Sequence, residues 1–142
     1  MIKKKTKPLN AQMIDILNTA IACNDFNTIK ELLSNNIDVN AAGSNGIYPV
    51  MTAVDYGNTH ALISLIKRGA NVNAIDKRTG YSLLMKALAK KYIPNRYLIV
   101  VLLLKNGADV NILGNDSKTA LYIARTKRPA YISILKRFGA TY

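Results

Sequence analysis

Gly69-Ala70-Asn71-Val72-Asn73 returns as Gly107-Ala108-Asp109-Val110-Asn111, and a looser copy precedes both as Asn36-Ile37-Asp38-Val39-Asn40. The closing asparagines, Asn40, Asn73 and Asn111, lie 33 and then 38 residues apart. A phrase returning at that distance marks a chain built from stacked copies of one small unit. Stacked copies make an extended surface for gripping a partner and do not usually enclose a catalytic pocket.

Aligning on the first phrase exposes a second one, which also recurs. It reads Gly46-Ile47-Tyr48-Pro49-Val50-Met51-Thr52-Ala53, then Gly80-Tyr81-Ser82-Leu83-Leu84-Met85-Lys86-Ala87, then Ser117-Lys118-Thr119-Ala120-Leu121-Tyr122-Ile123-Ala124. The two phrases in register resemble the ankyrin repeat, whose pattern is G-x-T-P-L-H-x-A, two short helices, then G-A-D-V-N. The resemblance covers roughly residues 10–142. It implies an all-α solenoid of helix-turn-helix units with projecting hairpin-like finger loops. A basic flexible tail, 1–8, would precede a single domain over 9–142. Its units would span about 9–40, 41–74, 75–112 and 113–142, the first and last acting as caps of a whole protein or module.

Local chemistry agrees with that pattern. Ser82 and Thr119 can cap helix N-termini with a side-chain oxygen. Pro49 suits a first helical residue, where an N–H is not needed. Val50, Ala53 and Val54 share one helical face, as do Leu84, Ala87 and Leu88. Small Ala53 and Ala87 would let two helices approach closely. Second helices are expected over 28–34, 60–67, 96–105 and 130–137, with Gly69, Gly107 and Gly139 ending them in the left-handed conformation. The departures from the pattern matter too. The first unit lacks the Gly-x-Thr-Pro start and places polar Asp15 and Asn18 in its first helix. Tyr48 replaces the capping Thr, and Met51 and Met85 replace the family His. The third unit carries about four extra residues within Lys90-Lys91-Tyr92-Ile93-Pro94-Asn95.

The net charge is +12, unevenly distributed. Residues 1–76 hold seven Lys/Arg and six acids, whereas residues 77–142 hold thirteen and two. Such a field suits an acidic partner, a nucleic acid or an anionic membrane. Lysines and arginines in last helical turns account for part of it. The longest apolar run, 98–104, is far shorter than the ~20 residues of a membrane helix, and no apolar signal region follows the N-terminal lysines. Cys23 is the single cysteine, so no internal disulfide forms. Its position beside Ala22 reads as a buried thiol. His60 has no partner at metal-ligand or general-base spacing. Asp55 and Asp76 make no pair, and no phosphate loop is present. No enzyme activity, cofactor or metal is expected.

The resemblance then directs attention to the concave side, formed by finger tips and first-helix edges. Carried over position by position, the partner-binding residues are Ile47, Asp55 and Tyr56, then Ile75, Lys77, Arg78, Tyr81 and Lys90, then Leu113, Asn115 and Lys118. Ile47, Tyr56, Ile75, Tyr81 and Leu113 are apolar or aromatic where solvent is expected, the composition of binding hot spots. Lys77, Arg78, Lys86, Lys90 and Lys91 would form a basic rim. The reading is a monomeric, cytoplasmic module for a protein partner, acidic in one version. The alternative is nucleic-acid or anionic-membrane binding by the basic C-terminal half, for which Tyr92, Tyr97, Tyr122 and Tyr131 are candidates. The Lys-, Asn- and Ile-rich composition suits an AT-rich genome, such as that of an intracellular bacterium or large virus, with delivery into a host cell as a further option.

Overall fold

The computed structural model describes the backbone of residues 6–141. Lys3, Lys4 and Lys5 of the expected tail lie outside the described residues, and the first helix takes in positions 6–8. Among the described residues eight helices follow one another: α1 (Thr6–Ala22), α2 (Phe26–Ser34), α3 (Pro49–Asp55), α4 (Thr59–Lys67), α5 (Leu83–Ala89), α6 (Arg96–Lys105), α7 (Ala120–Lys127) and α8 (Ile132–Arg137). A 3-10 turn, Pro129–Tyr131, leads into α8. Among the described residues an isolated bridge between Ile75 and Ser82 is the extent of β structure. None of the described helices is long and apolar enough to cross a membrane.

The helix boundaries follow from local chemistry. Ser82 Oγ accepts the Met85 N–H and Thr119 Oγ1 the Tyr122 N–H, both at 3.2 Å. Asp25 caps α2 and Asn58 caps α4 in the same way. Pro49 opens α3 behind Tyr48, which gives no side-chain cap. At the C-termini, Gly69, Gly107 and Gly139 have φ of 83°, 89° and 95°. Beyond each, the N–H of Ala70, Ala108 or Ala140 reaches back to Leu65, Leu103 or Leu135 at 3.0 Å. That closure satisfies carbonyls the helix leaves open. In the first repeat Asn36 (φ 56°) takes the glycine's place, as asparagine tolerates this region best among side-chain-bearing residues.

The chain divides into two compact bodies, one ending at Asn71 and one beginning at Val72. In the first, α1 packs on α2 and α3, and α3 on α4. Ile14, Leu17, Ala53, Val54, Leu62 and Leu65 are fully buried there. In the second, α5 packs on α6 and α7, and α7 on α8, around Leu84, Ala87, Leu88, Leu103, Leu121 and Leu135. Each buried leucine contributes about 2 kcal/mol of transfer free energy. Helix α3 is buried at every position but Asp55, more than the single apolar face expected.

Two expectations need correction. Cys23 is exposed, because α1 ends at Ala22 and the cysteine turns outward into the connection to α2. Lys86 does not join a solvated rim: its side chain is only 15% exposed and its Nζ lies 3.0 Å from the Asp76 carboxylate. The extra residues of the third repeat form a loop, 90–95, pinned by buried Ile93 and closed by Asn95 in the left-handed region (φ 54°).

Candidate interaction surfaces of the two bodies

Each finger is a tight reversal after a Val-Asn segment. Gly43 N–H donates to the Ile47 carbonyl, Asp76 N–H to Tyr81 and Gly114 N–H to Lys118, at 2.9 to 3.0 Å. These pairs give the fingers their hairpin character without extended strands.

In the N-terminal body the finger is fastened to α1. Asp15 accepts the Ser44 N–H at 2.9 Å and also its hydroxyl. Asn18 donates to the Ile47 carbonyl at 3.1 Å and accepts from the Thr52 hydroxyl at 3.0 Å. A Cβ on Gly43 would come within 2.2 Å of Asp15 Oδ1, so a side chain there would push the Asp15 carboxylate off the finger. These residues border an open cleft of roughly 370 Å³ whose wall includes Ile47 and Tyr56. Tyr56 is 55% exposed, while Ile47 and Asp55 are half-buried. The polar Asp15 and Asn18, which interrupt the apolar pattern of α1, are the residues that shape this surface. Their type hinted at it; their partners are too distant in sequence to be read.

In the C-terminal body the fingers of the third and fourth repeats are joined. Tyr81 Oη donates to Asp116 Oδ2 at 2.7 Å, and Lys118 Nζ meets the same oxygen at 2.7 Å. Asn115 N–H donates to the Thr79 carbonyl at 3.0 Å, and its side-chain amide contacts the Arg78 carbonyl at 3.4 Å. Lys118 Nζ also lies 5.9 Å from the centroid of the Tyr122 ring. The Lys118 ammonium, then the Tyr81 hydroxyl, hold the Asp116 carboxyl down to about 2. The hydrogen bond given to Asp116 pushes the Tyr81 phenol up. Deeper in, burial opposes the ionised Asp76, but the Arg78 N–H and the Lys86 ammonium outweigh it and keep this carboxyl below the usual range.

The expected binding residues of this body fall into three sets. Tyr81, Arg78, Asn115 and Lys118 are brought into one network, and Tyr81 and Ile75 are half-buried rather than open. Lys77 and Leu113 are exposed, Leu113 by 65%. Lys90 belongs to the loop between α5 and α6, where its carbonyl accepts from Arg96 and Arg128. Asp116 organises the network, and its partner Tyr81 lies 35 positions away in the sequence. Among the described residues no group of three or more potential metal ligands comes together. His60 packs its ring on Phe26 with centroids 4.7 Å apart.

A family model described as ankyrin repeats (3 copies) matches residues 17–113. The chain belongs to the ankyrin-repeat family. The mouse B-cell lymphoma 3 protein homolog is 32% identical over 91 residues, covering 64% of this chain and 19% of the mouse protein. A putative ankyrin repeat-containing protein of Treponema pallidum is 32% identical over 137 residues, covering 88% of this chain and 45% of that one. Ankyrin repeat protein nuc-2 of Neurospora crassa is 33% identical over 84 residues, 58% of this chain and 8% of nuc-2. The chain spans less than half the length of each of these relatives. The all-α repeat architecture is therefore an ankyrin architecture. Its fourth helix pair, beyond the matched residues, repeats the same closures at Thr119 and Gly139.

Proposed function

We propose that this ankyrin-repeat chain is a non-enzymatic module that binds a protein partner through its fingers and first-helix edges. The observation that carries the reading is the contrast at these surfaces. Tyr56 and Leu113 are exposed apolar groups, while the backbone around them is immobilised by Asp15, Asn18 and the Tyr81–Asp116–Lys118 network. Exposed apolar anchors on a pre-ordered frame are how interfaces gain affinity with little ordering cost. Lys77, Arg78 and Lys118 add positive charge to the fingers, which suits an acidic partner and speeds its encounter. Within this reading residues 9–142 act as one domain and as a monomer in the cytoplasm.

The test uses Tyr56→Ser together with Leu113→Ser. Both side chains are exposed, so the melting transition should stay at the wild-type value. Proteins captured by the wild-type chain from its own cells, or from a host cell, should be lost with the double variant. Undiminished capture of the same proteins would discard the assignment. Ile75 and Tyr81 are poorer choices, since the Tyr81 hydroxyl and the Ile75–Ser82 bridge are structural.

A further inference from the structure

The loop that breaks the repeat regularity is gripped by two guanidinium groups. Arg96 donates from Nε to the Ala87 carbonyl at 2.9 Å and from Nη2 to the Lys90 and Lys91 carbonyls at 2.6 and 3.2 Å. Arg128, just past α7, donates through its own Nη2 to those two carbonyls at 3.0 and 2.8 Å. Stretches 90–97 and 125–131 are thereby joined. Between them they hold Lys90, Lys91, Arg96, Arg125, Lys127 and Arg128, and the sequence places no carboxylate in either.

The three Asp side chains of this body lie outside these stretches. Asp76 meets Lys86, Asp116 meets Lys118, and Asp109 accepts the Asn111 N–H. Within the lobe built by the loop and the end of α7, the exposed Lys91, Arg125 and Lys127 share their stretches with no carboxylate. Helix α6 adds to their charge, because Arg96 stands at its positive end with no acidic residue in the first turn, the reverse of the stabilising arrangement. Burial and the like charge of Arg128 push the Arg96 guanidinium down from its ordinary value. Arg128 Nε is buried and has no acceptor. Such an arrangement is relieved by an anion.

The same lobe carries aromatic rings. Tyr92 is 75% exposed and Tyr97 66% exposed, and Tyr131 lies 6.3 Å from Tyr97 between centroids, tilted by 45°. Exposed rings among cations are what single-stranded nucleic acid requires, with phosphates following the charge and bases stacking on the rings. A duplex keeps its bases stacked on one another, and an acidic peptide brings charge without base faces. The geometry points to a single-stranded nucleic-acid site on this lobe, with phosphates against Lys91, Arg125 and Lys127 and bases against Tyr92 and Tyr97. This surface is separate in residues from the finger surfaces of the proposed function.

The test is a fluorescence-anisotropy titration of the full chain into labelled oligo(dT) of about twelve nucleotides, within the range one such surface covers. Binding should be measurable near roughly 50 mM salt and fall steeply toward 200 mM, with a log–log slope of about −0.7 per phosphate contacted. Tyr92→Leu with Tyr97→Leu leaves the charge intact and should weaken binding at least about tenfold. Lys91→Gln with Lys127→Gln should flatten the salt slope by about 1.4. All four side chains are exposed, so both variants should melt like wild type. Tyr56→Ser with Leu113→Ser should bind the oligonucleotide normally, which separates failure here from failure of the protein-partner reading. The inference is overturned if no binding occurs at low salt, or if the tyrosine variant binds like wild type. Polyglutamate competing as well as unlabelled oligo(dT) would assign the lobe to acidic proteins instead. Binding to phosphatidylserine-rich vesicles without binding to oligo(dT) would assign it to membranes.

Discussion

Asn73 donates its side-chain amide to the Gly107 carbonyl at 3.1 Å. Its oxygen accepts the Asp109 N–H at 2.7 Å, so one side chain satisfies a donor and an acceptor of the next repeat's Gly-Ala-Asp turn. Asn40 makes the same pair with Gly69 and Asn71, and Asn111 with Gly139 and Thr141. The recurring asparagine is therefore a clip between consecutive repeats. Asn73→Ala should lower stability by roughly 1–2 kcal/mol, the net value of two exposed hydrogen bonds. Asn73→Asp keeps the acceptor but sets a carboxylate against the Gly107 carbonyl, and should destabilise at least as much. Urea midpoints measure both, and a wild-type midpoint for Asn73→Ala would remove the clip.

Asn58 plays a heavier part than its place before α4 suggests. Its Oδ1 caps the Ala61 N–H at 2.9 Å, while Nδ2 donates to the Ile21 carbonyl at 3.1 Å and to Asn24 Oδ1 at 3.2 Å. Loss of the cap costs about 1 kcal/mol, and the two lost donations cost roughly 0.5–1.5 kcal/mol each, the Ile21 carbonyl keeping the Asn24 N–H at 3.2 Å. Asn58→Ala should lose about 2–4 kcal/mol on thermal or chemical unfolding. Asn58→Asp retains the cap, so full rescue by aspartate would show that the cross-helix bonds contribute nothing.

The fingers of the third and fourth repeats should respond to acid. Asp116 titrates near about 2 in the folded chain, below the ordinary carboxylate value. A depressed folded pKa stabilises above the unfolded value, here about 3.9, and the benefit fades as pH falls through about 2. Side-chain carboxyl NMR shifts should show Asp116 still ionised at about pH 3. Tyr81→Phe removes one of its two main donors and should raise the Asp116 pKa; an unchanged titration would mean the hydroxyl is not bonded in solution.

Gly80 and Gly107 both have positive φ, at 70° and 89°, but differ in surroundings. A Cβ on Gly107 meets open space, so Gly107→Ala should cost about 1–2 kcal/mol of backbone strain alone. A Cβ on Gly80 would lie 2.7 Å from the Asn115 backbone nitrogen, forcing the neighbouring finger away. Gly80→Ala should therefore destabilise by about 1–3 kcal/mol more, in line with overpacking elsewhere. Equal losses at the two sites, measured by urea unfolding, would show that the fingers are not in contact.

Whatever repeats in this protein was legible from its sequence. The Asn phrase set the period, Ser82 and Thr119 announced helix starts, and Gly69, Gly107 and Gly139 announced helix ends, because caps and left-handed turns depend on residues within one turn of chain. Even the irregular joint at residues 90–95 showed itself as a break in spacing. The surfaces were decided elsewhere. Asp15 finds Ser44, Asn58 finds Ile21, Tyr81 finds Asp116 and Arg128 finds Lys90, each pair separated by 29 to 38 positions. Which side chains those partners leave open depends on how one repeat is packed against the next. Tyr81 and Lys86 look like surface residues until Asp116 and Asp76 arrive beside them, and Cys23 looks like core until α1 ends one residue before it.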